Sequence, residues 1–317
     1  MKQMIRIPGA IAVLSFSLTL GACGRDMPTA PHASATTAGS ATGYGPAASA
    51  RSDREDASVF TAGGDITGAV NAFRAALGTL NPNTPGSVGS GRREINWDAV
   101  PAQFTNTTNF PVDFFNQPAV GRARGLVSTT PGTGERVSDV NFADLDPEFA
   151  NEFHFFSPIR TFAALGSVRL TETFFVPGSS TPAMSTGFGV VFADVDHRGS
   201  ASIRLFDASG RDLGTYQAPA APGGLSFVGV MFSSARVARV EIRSGEAAVD
   251  AGIADISARE RGDDDEHGED RDHRSALLLR DRGREDVGHG HARDLVIMDD
   301  FIYGEPVAAT GSPLAAR

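Results

Sequence analysis

Cysteine and tryptophan each occur once in the 317 residues, tyrosine three times, and lysine only at position 2. A lone thiol excludes a disulfide within the chain, so the fold rests on packing or on a bound metal. One Trp and three Tyr leave few side chains of the kind that stack on sugars. Positive charge is outnumbered, with Lys+Arg 28 against Asp+Glu 38, and the net charge is −10. A nucleic-acid binder displaces counterions with a net basic face, so this balance argues against a nucleic-acid partner. Apart from Lys2 every fixed cation is Arg, which reads as genomic base composition rather than as a special use of the guanidinium fork. Long helix-forming stretches are few. What the chain has instead is Gly 36, Pro 18 and Phe 21, a supply of turns and of core. That balance predicts an all-β protein, for which one domain of about 200 to 250 residues is ordinary.

The apolar stretch from Ile11 to Leu20 is shorter than the roughly 20 residues that span a bilayer, and it follows Lys2 and Arg6. This is the layout of a signal peptide. It ends in Leu20-Gly21-Ala22-Cys23, which resembles a bacterial lipobox. The resemblance implies a signal peptide over 1–22, lipidation of Cys23, and a chain held to the membrane through that lipid. Two or three acyl chains would hold far better than a single one. Gly24 in place of the Asp associated with inner-membrane retention favours the outer membrane. A conventionally secreted chain, with Cys23 an ordinary residue, is the alternative.

Residues 23–58 are Ala, Gly, Ser, Thr and Pro without apolar periodicity, and read as a disordered tether. The stretch 59–76 carries the best helical pattern, with Ile66, Val70, Phe73 and Leu77 on one face, Asp65 placed to cap and Gly78 placed to stop. Beyond it, short runs are bounded by Gly, Pro, Asn and Asp. Ser202-Ile203-Arg204-Leu205 and Val240-Glu241-Ile242-Arg243 alternate, which puts one face in the core and one in water. Turns are predicted at Asp207–Asp212 and at Pro222-Gly223-Gly224. The reading is a jelly-roll-like β-sandwich, galactose-binding-like or concanavalin-like, over 59–306, with one short N-terminal helix. Residues 259–294 form a charged, disordered insertion, and 307–317 a disordered tail.

Several blocks occur together: Arg92–Pro101, Arg124-Gly125-Leu126-Val127, Phe156-Ser157-Pro158, Gly187–Asp196, Gly224–Val230 and Met298–Pro306. As a set they resemble a group of uncharacterised exported bacterial proteins with an extracellular jelly-roll domain ending in an Asp-Asp-Phe strand. The resemblance covers residues 64–306 and implies a fold; it implies no activity. The charged insertion departs from it, being shorter and rich in Asn, Asp and Gly in that group.

A hydrolase would need a nucleophile beside a base, or two carboxylates across a cleft. Gly224-Leu225-Ser226-Phe227-Val228 lacks the closing glycine of a nucleophile elbow. His154 reads as structural and His197 as solvated. The chain is therefore read as non-catalytic. Asp194, Asp196, Asp299 and Asp300 are the candidate calcium ligands, since calcium takes six to eight hard oxygens, although Asp299 and Asp300 should point to opposite faces of their strand. The bland reading makes all four ordinary strand-end acids. The His/Asp runs of the insertion suit zinc or nickel chemically, but lack ligand spacing. Trp97 is either an exposed sugar platform, with Arg92, Arg93 and Asp98 around it, or a core anchor. The functional expectation is a cell-envelope lipoprotein presenting a module that binds carbohydrate or extracellular polymer. A structural or adhesive protein binding an envelope protein is the alternative, and an envelope hydrolase stands behind both.

Overall fold

The computed structural model describes residues 56–250, 255 and 293–309. The leader, Cys23, the tether up to residue 55 and most of the charged insertion and tail lie outside the described residues. No helix among the described residues is long and apolar enough to cross a membrane.

In chain order the elements are β1 (Ser58–Gly63), α1 (Thr67–Leu77), β2 (Arg92–Ile95), β3 (Leu126–Thr129), β4 (Gly134–Ser138), β5 (Thr161–Leu165), β6 (Arg169–Phe174) and β7 (Ala183–Met184). Then follow β8 (Gly187–Val195), β9 (Ser202–Phe206), β10 (Asp212–Gln217), β11 (Ala221–Met231), β12 (Arg239–Arg243), β13 (Ile297–Gly304) and β14 (Val307–Ala308). One antiparallel sheet runs β1-β11-β8-β13-β5-β4, with β2 also paired to β13; the other runs β10-β9-β12-β6-β3. The protein is an all-β sandwich. Phe188 of β8 and Tyr303 of β13 reach Phe174 of β6 at 6.3 and 5.5 Å between ring centroids, joining the two sheets. Around them pack Val190, Phe192, Ile203, Leu205, Val240 and Ile242, all buried.

The larger sheet is buried on its second face as well. There α1 lays Val70, Phe73 and Leu77 against Val191, Phe227 and Ile302. Burying each such side chain is worth about 1.5–3 kcal/mol. Phe73 fits because Gly189 and Gly229, opposite each other on β8 and β11, leave a notch. A Cβ on Gly189 would lie 2.8 Å from the Phe73 ring. Farther along the same face, Phe142, Phe149 and Phe153 cover Ala163, Ala193 and Ile297. All nine residues of β8 are accordingly buried, as befits a strand covered on both sides.

The five-stranded sheet keeps the alternation read from the sequence. Ile203 and Leu205, Val240 and Ile242 face inward, while Arg204, Glu241 and Arg243 face outward. Of the four sheet faces, three are covered by described residues; among the described residues the outer face of this sheet is open.

Three sequence expectations are corrected. The helix does not begin at Val59: β1 occupies Ser58–Gly63 and pairs with β11, because its alternating side chains fit the sheet edge. Asp65 still serves the helix start, its Oδ1 accepting from Thr67 N at 3.0 Å, and Gly78 ends it at φ 98°. Pro222-Gly223-Gly224 is not a free turn but an irregularity inside β11, between Ala221 and Leu225. The supposed tail starts with β14, paired to β7.

Candidate functional site

The residues singled out in the sequence fall into two places, and neither is an open ligand platform. Trp97 is 1% exposed. Its ring stacks on Phe162 at 4.0 Å and 3°, meets Phe301 edge-on at 5.2 Å, and Nε1 donates to Asp299 O at 2.8 Å. Core anchor is the reading its packing fits, and burial removes it from any sugar-facing surface. Arg93 is equally buried: Nε and Nη2 take the two carboxylate oxygens of Glu305 at 2.7 and 2.8 Å, and Nη1 donates to Ala123 O at 2.5 Å. Such a fork satisfies a desolvated charge and leaves nothing for a ligand. Arg92 Nε pairs with Glu94 Oε1 at 2.7 Å. Asp98 Oδ1 accepts from Ile159 N at 2.7 Å and Arg160 N at 3.2 Å.

The four expected calcium ligands are split between two networks. Asp299 and Asp300 share the loop that includes Phe156 and Ser157. Asp299 Oδ2 accepts from Phe156 N at 2.8 Å; Ser157 Oγ lies 2.7 Å from Asp300 Oδ1 and 3.0 Å from Asp299 Oδ1. The two carboxylates reach one hydroxyl, not opposite faces, because the register of β13 shifts between Met298 and Phe301. Neither is exposed. Burial, and then the charge of Asp300, pushes Asp299 up to about 8; burial also raises Asp300. Arg74 Nη2 steadies the group, 3.1 Å from Asp300 Oδ2 and 2.7 Å from Glu94 Oε2. A cavity of about 460 Å³ lies beside them, bounded by Arg74, Glu94, Arg124, Phe156 and Asp300. These contacts tie together the blocks at Arg92–Pro101, Phe156–Pro158 and Met298–Pro306, and they staple the 156–160 loop to β13.

Asp194 and Asp196 sit at the far end of β8. Asp194 takes φ 65°, which breaks the two-residue alternation, so that Phe192 and Val195 both reach the inner core. Its oxygens lie within 4.8 Å of Glu152 and Asp255, and those of Asp196 within 4.8 Å of Asp255 and Asp294. Asp194 Oδ1 accepts from Gly223 N at 2.5 Å; burial and a hydrogen bond with Glu152 push the carboxyl up to about 8. Asp294 Oδ2 accepts from Asp196 N and His197 N at 3.1 and 2.9 Å. Crowded hard oxygens of this kind suit a divalent cation. Glu152, Asp255 and Asp294 were not legible as partners, because they come from segments far apart in sequence.

The open sheet face carries a third feature, which the sequence reading missed. A groove of about 490 Å³ crosses all five strands, with Thr171, Thr215, Ser202, Arg169, Arg204 and Arg243 among its walls. Thr129, Thr171, Glu241, Arg204 and Thr215 form one cross-strand row, each opposite the next. Five strands about 4.8 Å apart make the row roughly 19 Å long. Alternation placed Arg204 and Arg243 in water, but only the register shows what stands beside them.

No known protein family matches the chain, and no curated protein does. Among solved structures, the enzymatically active domain of tailspike protein 4 from bacteriophage CBA120 shares 15% identity over 48% of this chain, at a TM-score of 0.22. Procruciferin, an 11S globulin from Brassica napus, shares 14% identity over 53% of it, at a TM-score of 0.13. The matches span 20% and 38% of those two chains, and likeness this slight carries no argument about fold or function.

Proposed function

We propose that the chain is an exported, lipid-anchored protein of the cell envelope, outer membrane favoured, whose sandwich is a non-catalytic module binding carbohydrate or another extracellular polymer. One observation carries the reading: the sheet face left open among the described residues bears a groove crossing five strands, lined by Thr and Ser hydroxyls, by guanidinium groups and by the Glu241 carboxylate. A long, shallow furrow set with hydroxyls and charged groups accepts an extended chain of hydroxyl-bearing units along its length. The anchor rests separately on the tetrapeptide ending at Cys23.

Calcium, within this reading, belongs with Asp194, Asp196, Glu152, Asp255 and Asp294, not with Asp299 and Asp300. Asp294 is fully buried and its Oδ1 accepts no hydrogen bond among the described residues, the condition in which a carboxylate oxygen gains most from a cation.

The test is a glycan array probed with full-length protein, once with calcium and once with chelator. Polymer binding supports the module, and loss of thermal stability in chelator supports the cation. Silence across neutral and acidic glycans in both conditions would count against the module and turn attention to a protein partner.

A further inference from the structure

We infer that the groove takes an acidic polysaccharide, whose carboxylates sit between Arg169 and Arg243. The inference rests on the reading of the groove as a polymer site and names the class of polymer. Arg243 on β12 is directly opposite Arg169 on β6. Directly paired residues on adjacent strands hold their Cβ atoms about 5 Å apart, and like charges in that relation repel. The other cations of this face are already matched. Arg204 Nη2 pairs with Asp212 Oδ2 at 2.9 Å, and Arg239 pairs with Glu241. Arg169 and Arg243 have no carboxylate partner among the described residues. Arg243 only touches Gly245 O at 3.2 Å, and both side chains are exposed. Two adjacent guanidinium forks without a carboxylate partner among the described residues are complementary to an anionic group laid across them.

The rest of the lining says what carries that anion. Thr129, Thr130, Thr171, Ser202 and Thr215 offer hydroxyls to hydroxyls, and no aromatic ring lines the groove. A single-stranded nucleic acid would want rings on which to stack its bases. A sugar polymer with acid groups meets both the hydroxyls and the arginine pair.

The experiment uses full-length protein and three probes: polygalacturonate, the same polymer with its carboxylates reduced to alcohols, and a sulfated glucan. Affinity is measured by calorimetry for the native chain and for R169Q, R243Q and the double variant. The expected result is binding of polygalacturonate that weakens with added salt, with roughly tenfold loss in each single variant and more in the double, as for hydrogen bonds to a charged group. The variants should melt at or above the native temperature, since each removes a repulsion. Equal affinity for the reduced polymer, or full affinity in the double variant, overturns the acidic assignment and leaves the groove reading standing. Tighter binding of sulfated glucan through the same arginines reassigns the anion to sulfate and overturns the carboxylate. Failure of all three probes to bind the native chain sinks the groove reading and this inference with it.

Discussion

At the residue scale, the singled-out side chains divide by burial. Trp97 and Arg93 hold the fold, whereas Arg169 and Arg243 carry no signal in the sequence, because an exposed Arg looks there like any other. Two further acids stand out inside the sandwich. Glu172 is fully buried with Ser128 Oγ donating to Oε1 at 2.6 Å, and Glu135 is 1% exposed with neither oxygen hydrogen-bonded among the described residues. Burial pushes Glu135 up to about 8, and burial with the charge of Glu135 raises Glu172 far above the carboxylate range. The folded state thus holds protons that the unfolded chain releases near its ordinary carboxylate pKa, so stability falls as pH rises through the window up to about 8. Asp194 and Asp299 act with the same sign. The native chain should be more stable at pH 5 than at pH 8, and E135Q should flatten the slope, removing on the order of 3–5 kcal/mol of it. Denaturant titrations at both pH values measure this; an unchanged slope in E135Q would contradict it.

At the element scale, what was legible was the alternation of half-exposed strands and the apolar runs of doubly covered ones. β8 was readable over its whole length, and β9 and β12 to within one or two residues. What escaped were departures from regular pairing. The register shift in β13 brings Asp299 and Asp300 to one hydroxyl, and φ 65° at Asp194 resets the phase of β8. Neither can be seen in a two-residue period. Strands β4 and β5 escaped for another reason, since Gly-Glu-Arg-Val-Ser carries no strand signal until Thr161–Leu165 pairs with it. The docking of α1 gives a direct test. A methyl group at Gly229 would lie 2.8 Å from the Phe227 ring and 3.0 Å from Phe73, so G229A should cost about 1–3 kcal/mol by overpacking. Equilibrium unfolding reads that cost; native stability in G229A would mean that the helix is not seated as described.

At the scale of the whole molecule, coverage is the organising fact. α1 and the Phe142–Phe153 segment cover the back of the larger sheet, the two inner faces cover each other, and one face is left open among the described residues. The sandwich was legible from composition and strand spacing. Which face stays open was not, because it depends on which sheet the helix and the loop choose to cover. A chain of net charge −10 nevertheless presents on that face two arginines with no carboxylate partner among the described residues, so its response to polyanions should be local and sensitive to salt.

The central claim, that the open face is the binding face, is tested most directly by filling it. Thr171 is the second of the five residues in the cross-strand row and lines the groove, so T171W places an indole across it while leaving the core and the covered faces untouched. Calorimetry with polygalacturonate should show binding lost in T171W at an unchanged melting temperature. Binding of T171W with native affinity would show that any polymer site lies elsewhere on the molecule.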